Sequence, residues 1–163
     1  MSLTIRAATD EDFEAIWAIF RPILEAGETY ALDPGMSAEQ GRGLWLEAPR
    51  ASFVAEREGE ILGSYYLKAN FGGNGSHVAN CGYIVADAAR GQGIAGEMCR
   101  HSLTMARELG FTAMQYNSVI ATNEGAIRLW QRHGFDIVGR LPGAFRHPRQ
   151  GAVDALVMYR VLN

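Results

Sequence analysis

The sequence predicts an α/β protein in which a mixed sheet of seven strands is flanked by four helices. Segments that alternate apolar and polar residues are typical of strands, whereas apolar residues three and four positions apart indicate helices. These segments follow one another in the order β-α-α-β-β-β-α-β-α-β-β. Because strands in series stand on both sides of a central β-α-β unit, we expect both parallel and antiparallel neighbours in the sheet. There is no linker or internal repeat, so residues 1–163 are expected to form a single domain.

The chain is expected to begin with a strand and an amphipathic helix. Residues 3–8 alternate as a strand does, and Thr9 or Asp10 can cap the helix that follows. One face of that helix is apolar and carries Phe13, Ile16, Trp17, Phe20 and Leu24. Pro22 is expected to distort or shorten the helix, because proline has no backbone N–H to donate.

A loop, a short helix and a hairpin are expected next. Residues 27–37 predict the loop, and the short helix then runs to Glu47. Residues 51–69 contain two alternating runs around a turn at Glu58–Gly59, which is typical of a hairpin. The glycine-rich residues 70–76 predict a flexible connection.

The second half of the chain is expected to alternate strands and helices and to end in two strands. These elements are a strand over residues 77–86, a helix over about 93–109, a strand over 111–120, a helix that Gly134 ends, and strands over 136–141 and 154–162. A loop over residues 142–152 is expected to separate the last two strands.

Composition and charge argue against several classes of protein. Hydrophobic residues make up 48% of the 163 residues and charged residues 20%, as in ordinary soluble globular proteins. A net charge of −3 argues against an electrostatic nucleic-acid binder. The first residues lack a signal-peptide pattern, and no apolar run approaches the roughly 20 residues of a membrane span, so a cytoplasmic location is expected. Cys81 and Cys99 form no metal-binding pattern and are expected to be reduced core residues, with no metal site.

Residues 90–96, RGQGIAG, form a glycine loop between an expected strand and an expected helix. Gly91, Gly93 and Gly96 fit the G-x-G-x-x-G pattern, which presents backbone N–H groups to phosphate oxygens at a helix N-terminus. A dinucleotide site also expects an acid about 20 residues on, at the end of the next strand. That strand, residues 111–120, contains no acid, and no G-K-[ST] follows the loop. The loop by itself therefore indicates a phosphate ligand without identifying it.

A second motif narrows the interpretation. The stretch NEGAIRLWQRHGF has the spacing N-x-x-A-x-x-L-[YW]-x-x-x-G-F, with Asn123, Ala126, Leu129, Gly134 and Phe135. Together with Arg90-x-x-Gly93-x-Ala95, it resembles the GCN5-related N-acetyltransferase (GNAT) superfamily. The resemblance extends over the element order of residues 3–162. It implies a mostly antiparallel seven-stranded sheet with about four helices, and an enzyme that uses acetyl-CoA.

The resemblance also implies which residues bind acetyl-CoA. The pyrophosphate is expected on the glycine loop, at Arg90, Gly91, Gln92, Gly93, Ile94, Ala95 and Gly96. In this family the preceding strand splays from the next one, and its free backbone groups pair with the pantetheine arm. By position these groups belong to Tyr83, Ile84 and Val85, which also suit an ordinary core strand. Asn123 matches the asparagine that contacts the arm.

Trp130 departs from the family pattern. Many relatives carry a tyrosine at this position that is thought to protonate the departing thiolate. An indole N–H donates a hydrogen bond but is not an acid near neutral pH, so Trp130 is expected to pack against the cofactor arm or the core. The loss is tolerable, since a thiol with a pKa of about 8.5 leaves without help.

The base that takes the proton of the attacking amine is left open by the sequence. Some relatives use a glutamate on the strand before the loop, but residues 77–86 contain none. His77 is the nearest titratable group, although a strand-start histidine is also an ordinary surface residue. Glu28, Asp154 or a chain of water molecules are alternatives.

Asn80 and Asn117 are the candidate polar groups beside the expected splay. Asparagine is disfavoured within strands and costly to bury without partners. Two asparagines here therefore indicate a role in placing the substrate or in binding the thioester oxygen. The alternative is that both side chains form hydrogen bonds to loops. The stretches HVANCGYIV, QYNSVIATNEGAIRLW and VDALVMYR resemble the fungal proline-analogue acetyltransferases, which act on azetidine-2-carboxylate and related imino acids. In that group asparagines at these two positions are implicated in the same roles.

The acceptor is expected to be a small amine bound by residues from three segments. Aromatic side chains with one or two charges suit a small amphipathic molecule. The principal candidates are Glu28, Tyr30, Tyr65, Phe145 and Arg146, and Phe20, Tyr66 and Ala144 of the same segments are expected to help build the pocket. Direct attack in a ternary complex is favoured over a covalent route through Cys81, which has no activating base near it in sequence.

Other functions remain as alternatives at this point. They are a protein or peptide N-terminal acetyltransferase, a CoA-binding module without catalysis and, more remotely, an oxidoreductase. The family resemblance also makes a homodimer plausible.

Overall fold

Seven strands and four α-helices follow one another in the predicted order in residues 2–163, the part of the chain that the computed structural model describes. In chain order they are β1 Thr4–Ala7, α1 Phe13–Ala26, α2 Ala38–Arg42, β2 Ala51–Arg57, β3 Glu60–Ala69, β4 Val78–Val85, α3 Ile94–Glu108, β5 Ala113–Ile120, α4 Glu124–Arg132, β6 Asp136–His147 and β7 Gly151–Val161. The predicted fold class is therefore confirmed.

The strands form one sheet in the order β1-β2-β3-β4-β5-β7-β6. Neighbours are antiparallel except β4 and β5, which are parallel. Their parallel pairing covers only Val78–Ala113 and Ala79–Met114, after which the two strands diverge. The middle of the sheet is therefore open between β4 and β5.

Helices cover both faces of the sheet and enclose two cores. On the first face, which we call the α1 face, Ile16, Phe20 and Leu24 of α1 pack with Trp45 against Tyr66 and Ile84. On the second, the α3 face, helices α3 and α4 pack over the neighbouring strands. Its buried residues include Tyr65, Cys81, Met98, Cys99, Leu103, Met114, Tyr116 and Trp130. Successive residues of β3 and β4 therefore serve different cores.

Helix α1 begins and continues somewhat differently from the prediction. Thr9 forms a capping box with Asp12, but a 3₁₀ turn over residues 10–12 precedes the helix proper. Pro22 lies inside α1 without shortening it, since the helix continues to Ala26. Pro22 is exposed, so water can satisfy the carbonyl that it leaves without a helical donor.

The predicted loop over residues 142–152 is wrong, because β6 extends to His147 and β7 begins at Gly151. Phe145 pairs with Val153, and the register shifts between Leu141 and Phe145. The intervening Pro142 and Gly143 belong to an irregularity in an edge strand, where proline and glycine are tolerated. The local composition of residues 142–147 favours a loop, but their pairing with β7 makes them part of a strand.

Among residues 2–163, no helix is both long and apolar enough to cross a membrane. The same residues contain no group of three or more His, Cys, Asp or Glu side chains placed to hold a metal ion. Cys81 and Cys99 are both buried and unpaired by any disulfide.

The start of α1 is joined to the sheet by a partly buried ion-pair network. Arg6 donates two hydrogen bonds to the Asp12 carboxylate, at 2.8 and 2.9 Å, and two to the Glu56 carboxylate, at 3.1 and 3.3 Å. The carboxylate Oδ2 of Asp12 also accepts from the Thr9 N–H at 2.7 Å. The hydrogen bond from Arg6 lowers the pKa of Asp12 from 3.8 to about 2.

Replacing Asp12 with asparagine should lower the free energy of unfolding by about 1–2 kcal/mol at pH 7, because the charge beside Arg6 is lost. The folded-state pKa is depressed, so this stabilisation is present above about pH 4 and is lost as the pH falls toward 2. Urea unfolding at pH 7 and pH 2.5 measures it. Asp10→Asn, at an exposed ion pair with Arg42, is the control and should change stability by less than about 0.5 kcal/mol. A difference between wild type and Asp12→Asn that is as large at pH 2.5 as at pH 7 would contradict the assignment, because most of it should be lost as the pH approaches the folded-state pKa.

Candidate active site

The gap where β4 and β5 diverge is the centre of the candidate site. We call it the β4–β5 opening, bounded by residues 80–85 of β4 and residues 115–120 of β5. The predicted splay of these strands is present, since no parallel pair follows Ala79–Met114 in the described chain.

One edge of β4 is bonded to β3, and the hydrogen bonds at its two ends show which residues take part. The Asn70 N–H donates to the Val78 carbonyl, and the Ala86 N–H donates to the Leu62 carbonyl, each at 2.8 Å. An antiparallel pair exchanges such bonds at every second residue. The even-numbered residues of β4 therefore bond to β3.

The odd-numbered residues of β4 turn their backbone groups toward the opening. Beyond the last parallel pair these are Cys81, Tyr83 and Val85. The sequence prediction named Tyr83, Ile84 and Val85, but Ile84 is opposite Ser64 and its backbone is used by β3. Counting in twos along the strand would have selected Cys81, once the register with β3 was known.

Tyr30 reaches the opening from the α1 face. Its hydroxyl donates to the Tyr83 carbonyl at 2.7 Å, and its ring packs edge-on against Phe20. Burial raises the pKa of Tyr30 well above its usual value, so the hydroxyl stays protonated and acts as a donor. Tyr66 borders the same place, because its ring lies across Gly82 at a distance that leaves no room for a side chain there.

The two predicted asparagines lie near each other on the α1 face. Asn80 is buried, with 8% of its surface exposed, and its Nδ2 donates to the Gln115 carbonyl of β5 at 2.9 Å. The side chain thus bridges the two strands where their backbone pairing stops. Asn117 is exposed at an irregularity of β5, where it accepts from the Gln115 side chain and donates to Asn70.

The glycine loop presents a cluster of free backbone donors. None of the N–H groups of residues 91–96 donates to a backbone acceptor within the described chain, and they precede and begin α3. Gly91 and Gly93 have φ values of 77° and 78°, which favour glycine and turn successive N–H groups to one side. Ile94 is buried and anchors the loop to the core. Such an arrangement fits a phosphate or pyrophosphate group.

Two side chains at the glycine loop, Arg90 and Gln92, add a positive charge and a polar contact to it. Arg90 is exposed and pairs with Asp87 at 3.4 Å, so it can turn toward an anion at little cost. Gln92 accepts a hydrogen bond from Arg57 at 2.8 Å. A cavity of about 240 Å³ lies beside Gln92 and Arg57.

Asn123 and Trp130 mark the α4 side of the opening. The Asn123 side chain caps α4, since its Oδ1 accepts from the Ala126 N–H at 3.3 Å. Its Nδ2 makes no hydrogen bond with the described part of the chain. Trp130 is 9% exposed, and its ring centre lies 4.9 Å from that of Tyr83 and 5.0 Å from that of Tyr116. Trp130 therefore packs in an aromatic cluster of the α3 face.

Cys81 is poorly suited to act as a nucleophile. Its side chain is buried on the α3 face, and that burial raises the pKa of the thiol far above its usual value. The thiolate is the reactive form. The geometry therefore favours direct transfer over a covalent route through this cysteine.

An ion pair connects the segment before Tyr30 to the β6–β7 turn. Arg149 donates to the Glu28 carboxylate at 2.7 Å, and this hydrogen bond lowers the pKa of Glu28. His147 is buried nearby and accepts from the backbone of the turn through Nδ1. Phe145 is buried on the same side of β6 as His147, two residues away.

Two of the residues predicted to bind the acceptor lie elsewhere. Tyr65 is fully buried on the α3 face, where its hydroxyl bonds to His101 Nδ1 at 2.7 Å. Arg146 is exposed on the side of β6 opposite Phe145. Tyr66, which the sequence also suggested, lies on the α1 face instead of Tyr65. Arg149 of the β6–β7 turn, which the sequence did not suggest, pairs with Glu28.

The three candidate bases do not lie together at the β4–β5 opening as a free base would have to. His77 is exposed and precedes the paired end of β4, on the far side of the parallel pair from the opening. Asp154 accepts from the Gly143 N–H at 2.9 Å and from Arg140 at 2.7 Å, and these bonds lower the pKa of its carboxyl. Glu28 and Asp154 are thus ionised carboxylates already engaged with arginines.

Comparison with known proteins gives concordant matches. The model of the acetyltransferase (GNAT) family matches residues 11–135. The N-acetyltransferase aca1 of Schizosaccharomyces pombe is 30% identical over 151 aligned residues, which cover 82% of this chain and 72% of that protein. A GCN5-related N-acetyltransferase structure from Kribbella flavida is 43% identical, with a TM-score of 0.94 and 98% of each chain covered. A ribosomal-protein-alanine N-acetyltransferase structure from Brucella melitensis is 28% identical, with a TM-score of 0.85, and covers 98% of this chain and 99% of that one.

Proposed function

The chain belongs to the acetyltransferase (GNAT) family, and we propose that its acceptor is the amine of a small amino or imino acid. The chain is an acetyl-CoA-dependent N-acetyltransferase, in which acetyl-CoA supplies the acetyl group. The observation that carries the proposal is the Glu28–Arg149 ion pair. It connects the loop that contains Tyr30 to the β6–β7 turn. The ion pair therefore closes one side of the space beside the β4–β5 opening, which we call the acceptor side because the acceptor would bind there. A bounded pocket suits a small molecule better than a peptide chain.

We propose that three parts of the site hold the donor. The free N–H groups of residues 91–96 and Arg90 bind the pyrophosphate. The backbone groups of Cys81, Tyr83 and Val85 pair with the amides of the pantetheine arm, and the free Nδ2 of Asn123 donates to that arm. Trp130 packs against the Tyr83 ring on the α3 face and so helps to hold β4 in position.

The chemistry proposed for the site is direct attack by the amine on the thioester carbonyl of acetyl-CoA. The C–N bond of the amide forms, the C–S bond breaks, and CoA leaves as its thiolate. The backbone N–H groups of β4 that face the opening can bind the negative charge that develops on the carbonyl oxygen. Asn80, fixed by its bond to β5, places the acceptor. Since the pKa values of Glu28 and Asp154 are lowered and both carboxylates are paired, we propose that the proton of the ammonium leaves through water.

The proposal predicts thiol release from acetyl-CoA that depends on a small amino or imino acid. The assay is thiol release with a panel that includes proline, azetidine-2-carboxylate, primary amino acids, polyamines and a peptide with an N-terminal alanine. We expect saturable turnover with one class of free amino or imino acid, and turnover with the peptide at least tenfold lower in kcat/KM, about 1.4 kcal/mol. Turnover with the peptide alone would overturn the proposal.

Acetylation of a protein N-terminus is the second candidate. The Brucella melitensis relative, 28% identical to this chain, bears the name of a ribosomal-protein-alanine N-acetyltransferase. The alanine peptide in the same panel separates the two candidates. Replacing Arg149 with glutamine separates them further, because opening the acceptor side should weaken a small acceptor and leave a peptide unaffected.

A further inference from the structure

Lys68 carries a positive charge that no carboxylate of the described chain balances. It is the only lysine in the sequence, and it lies near the end of β3. Its side chain makes no hydrogen bond or ion pair within residues 2–163. The ammonium group instead lies over the Tyr66 ring, with Nζ 5.4 Å from the ring centre. The charge of Lys68 is therefore free to pair with an anion from outside the chain.

This lysine lies beside Asn80 on the α1 face. Side chains two residues apart on a strand share a face, so Lys68 is on the same face as Tyr66, whose ring lies across Gly82 of β4. Lys68 is opposite Asn80 in the register of β3 with β4, and the Cβ atoms of such a pair are about 5 Å apart. The flexible four-carbon stem of lysine can bring its ammonium group to a molecule that is bound at Asn80.

A second donor near Lys68 also lacks an acceptor. Nδ2 of Asn70 is buried without a hydrogen-bond partner in the described chain, whereas its Oδ1 accepts from Asn117 at 2.6 Å. Asn70 follows Lys68 by two residues and continues the pairing of β3 with β4 through Val78. A buried donor without a partner is costly. The end of β3 therefore holds two donors that the described residues leave unpaired.

Other groups on the acceptor side do not neutralise Lys68. Glu28 is engaged with Arg149 at 2.7 Å. Burial raises the pKa of Tyr66 to about 12, so the ring beside the ammonium group is a neutral phenol at pH 7. A carboxylate that pairs with Lys68 would therefore come from a ligand.

We propose that Lys68 binds the carboxylate of the acceptor and so selects amino and imino acids over amines that lack an acid group. The inference rests on the proposed function and names the residue that recognises the acid. In an α-amino or α-imino acid a single carbon atom separates the nitrogen from the carboxyl group. An amine placed at Asn80 therefore brings its carboxylate within reach of Lys68. Hydrogen bonds between an ammonium group and a carboxylate are about twice as strong as neutral ones.

The test measures how strongly each variant prefers an acid acceptor over its uncharged carboxamide. Thiol release from acetyl-CoA gives kcat/KM for the amino or imino acid that the wild type acetylates fastest and for its carboxamide, such as proline and prolinamide. The amines of the two acceptors differ in basicity, but this difference cancels when the preference is compared between variants. The variants are Lys68→Gln, which removes the charge, and Lys68→Arg, which retains it.

Arg50→Gln is the matched control. Arg50 is exposed, and its guanidinium lies 5.6 Å from the centre of the Phe111 ring, which belongs to the α3 face. The substitution removes one positive charge and one contact with an aromatic ring, as Lys68→Gln does, but away from Asn80. Thermal melting checks that the variants fold, and turnover of the carboxamide shows that their sites are intact.

We expect Lys68→Gln to reduce the preference for the acid at least tenfold through the KM of the acid, which corresponds to the loss of one hydrogen bond between charged groups. Lys68→Arg should retain most of the preference and Arg50→Gln all of it, with the KM for acetyl-CoA unchanged in each variant. The inference is overturned, while the proposed function stands, if Lys68→Gln keeps the wild-type preference or if the wild type has no lower KM for the acid than for the carboxamide. If the wild type acetylates no amino or imino acid, the proposed function itself fails and this inference fails with it.

Discussion

Replacing Gly93 with alanine is expected to raise the KM for acetyl-CoA about 100-fold. Gly93 has a φ of 78° and stands directly before α3, where the free N–H groups of the loop converge. Alanine disfavours this conformation, and relaxing it would turn the neighbouring N–H groups away from the phosphate. The loss of two hydrogen bonds to a charged group, at about 1.5 kcal/mol each, corresponds to that factor. Steady-state kinetics with varied acetyl-CoA measure it.

Gly110→Ala is the matched control for this experiment. Gly110 has a φ of 90° at the opposite end of α3, and at both positions a Cβ atom would meet nothing within 4 Å. Both variants should therefore lose about 1–2 kcal/mol of stability for the same backbone reason, while only Gly93→Ala loses affinity for acetyl-CoA. Equal KM values in the two variants would show that the loop does not bind the donor as proposed.

The elements of the fold could be predicted where local pattern decides them. The hairpin of β2 and β3 follows from its alternation and its turn at Glu58–Gly59, and α3 follows from helical spacing after the glycine loop. The long β6 could not be predicted in the same way. Its Pro142 and Gly143 favour a loop locally, and only pairing with β7 makes them part of a strand.

The proposed donor side of the site is local in sequence, so a sequence can indicate it. The loop, its preceding strand and the cap of α4 each present their proposed contacts within a few consecutive residues. The acceptor side brings together residues far apart in the chain, such as Tyr30, Asn80 and Arg149. The register decides whether Tyr65 or Tyr66 faces the site and whether the backbone of Cys81 or that of Ile84 is free at the opening, and no single segment determines that register.

The donor motif and the family fold therefore carry less information about the acceptor than about acetyl-CoA. Asn80 is the residue that connects the two sides, because it lies on β4 and bonds to β5. Its Oδ1 makes no hydrogen bond with the described residues and is free to accept one from the amine. A change at Asn80 should thus separate catalysis from donor binding.

Replacing Asn80 with alanine is expected to lower kcat about 100-fold, with a change of less than about threefold in the KM for acetyl-CoA. The substitution removes the bridge from β4 to β5 and the polar group that we propose places the acceptor, and one such group is worth about 10²–10³ in kcat. The loss of a buried hydrogen bond should also lower stability by about 1–3 kcal/mol, so the kinetics are measured well below the melting temperature. Acetyl-CoA affinity is measured separately by calorimetry.

Two further variants decide what the loss at Asn80 means. Asn74→Ala removes an exposed asparagine of the loop before β4 and should leave kcat unchanged. Asn117→Ala should lower kcat less than Asn80→Ala, because Asn117 is exposed and bonds only to side chains. If Asn80→Ala weakens acetyl-CoA binding and leaves kcat unchanged, Asn80 acts by holding the two strands at the spacing that the pantetheine arm requires. If kcat falls while the affinity for acetyl-CoA is retained, Asn80 acts on the acceptor, and the α1 face of the opening is where the amine binds.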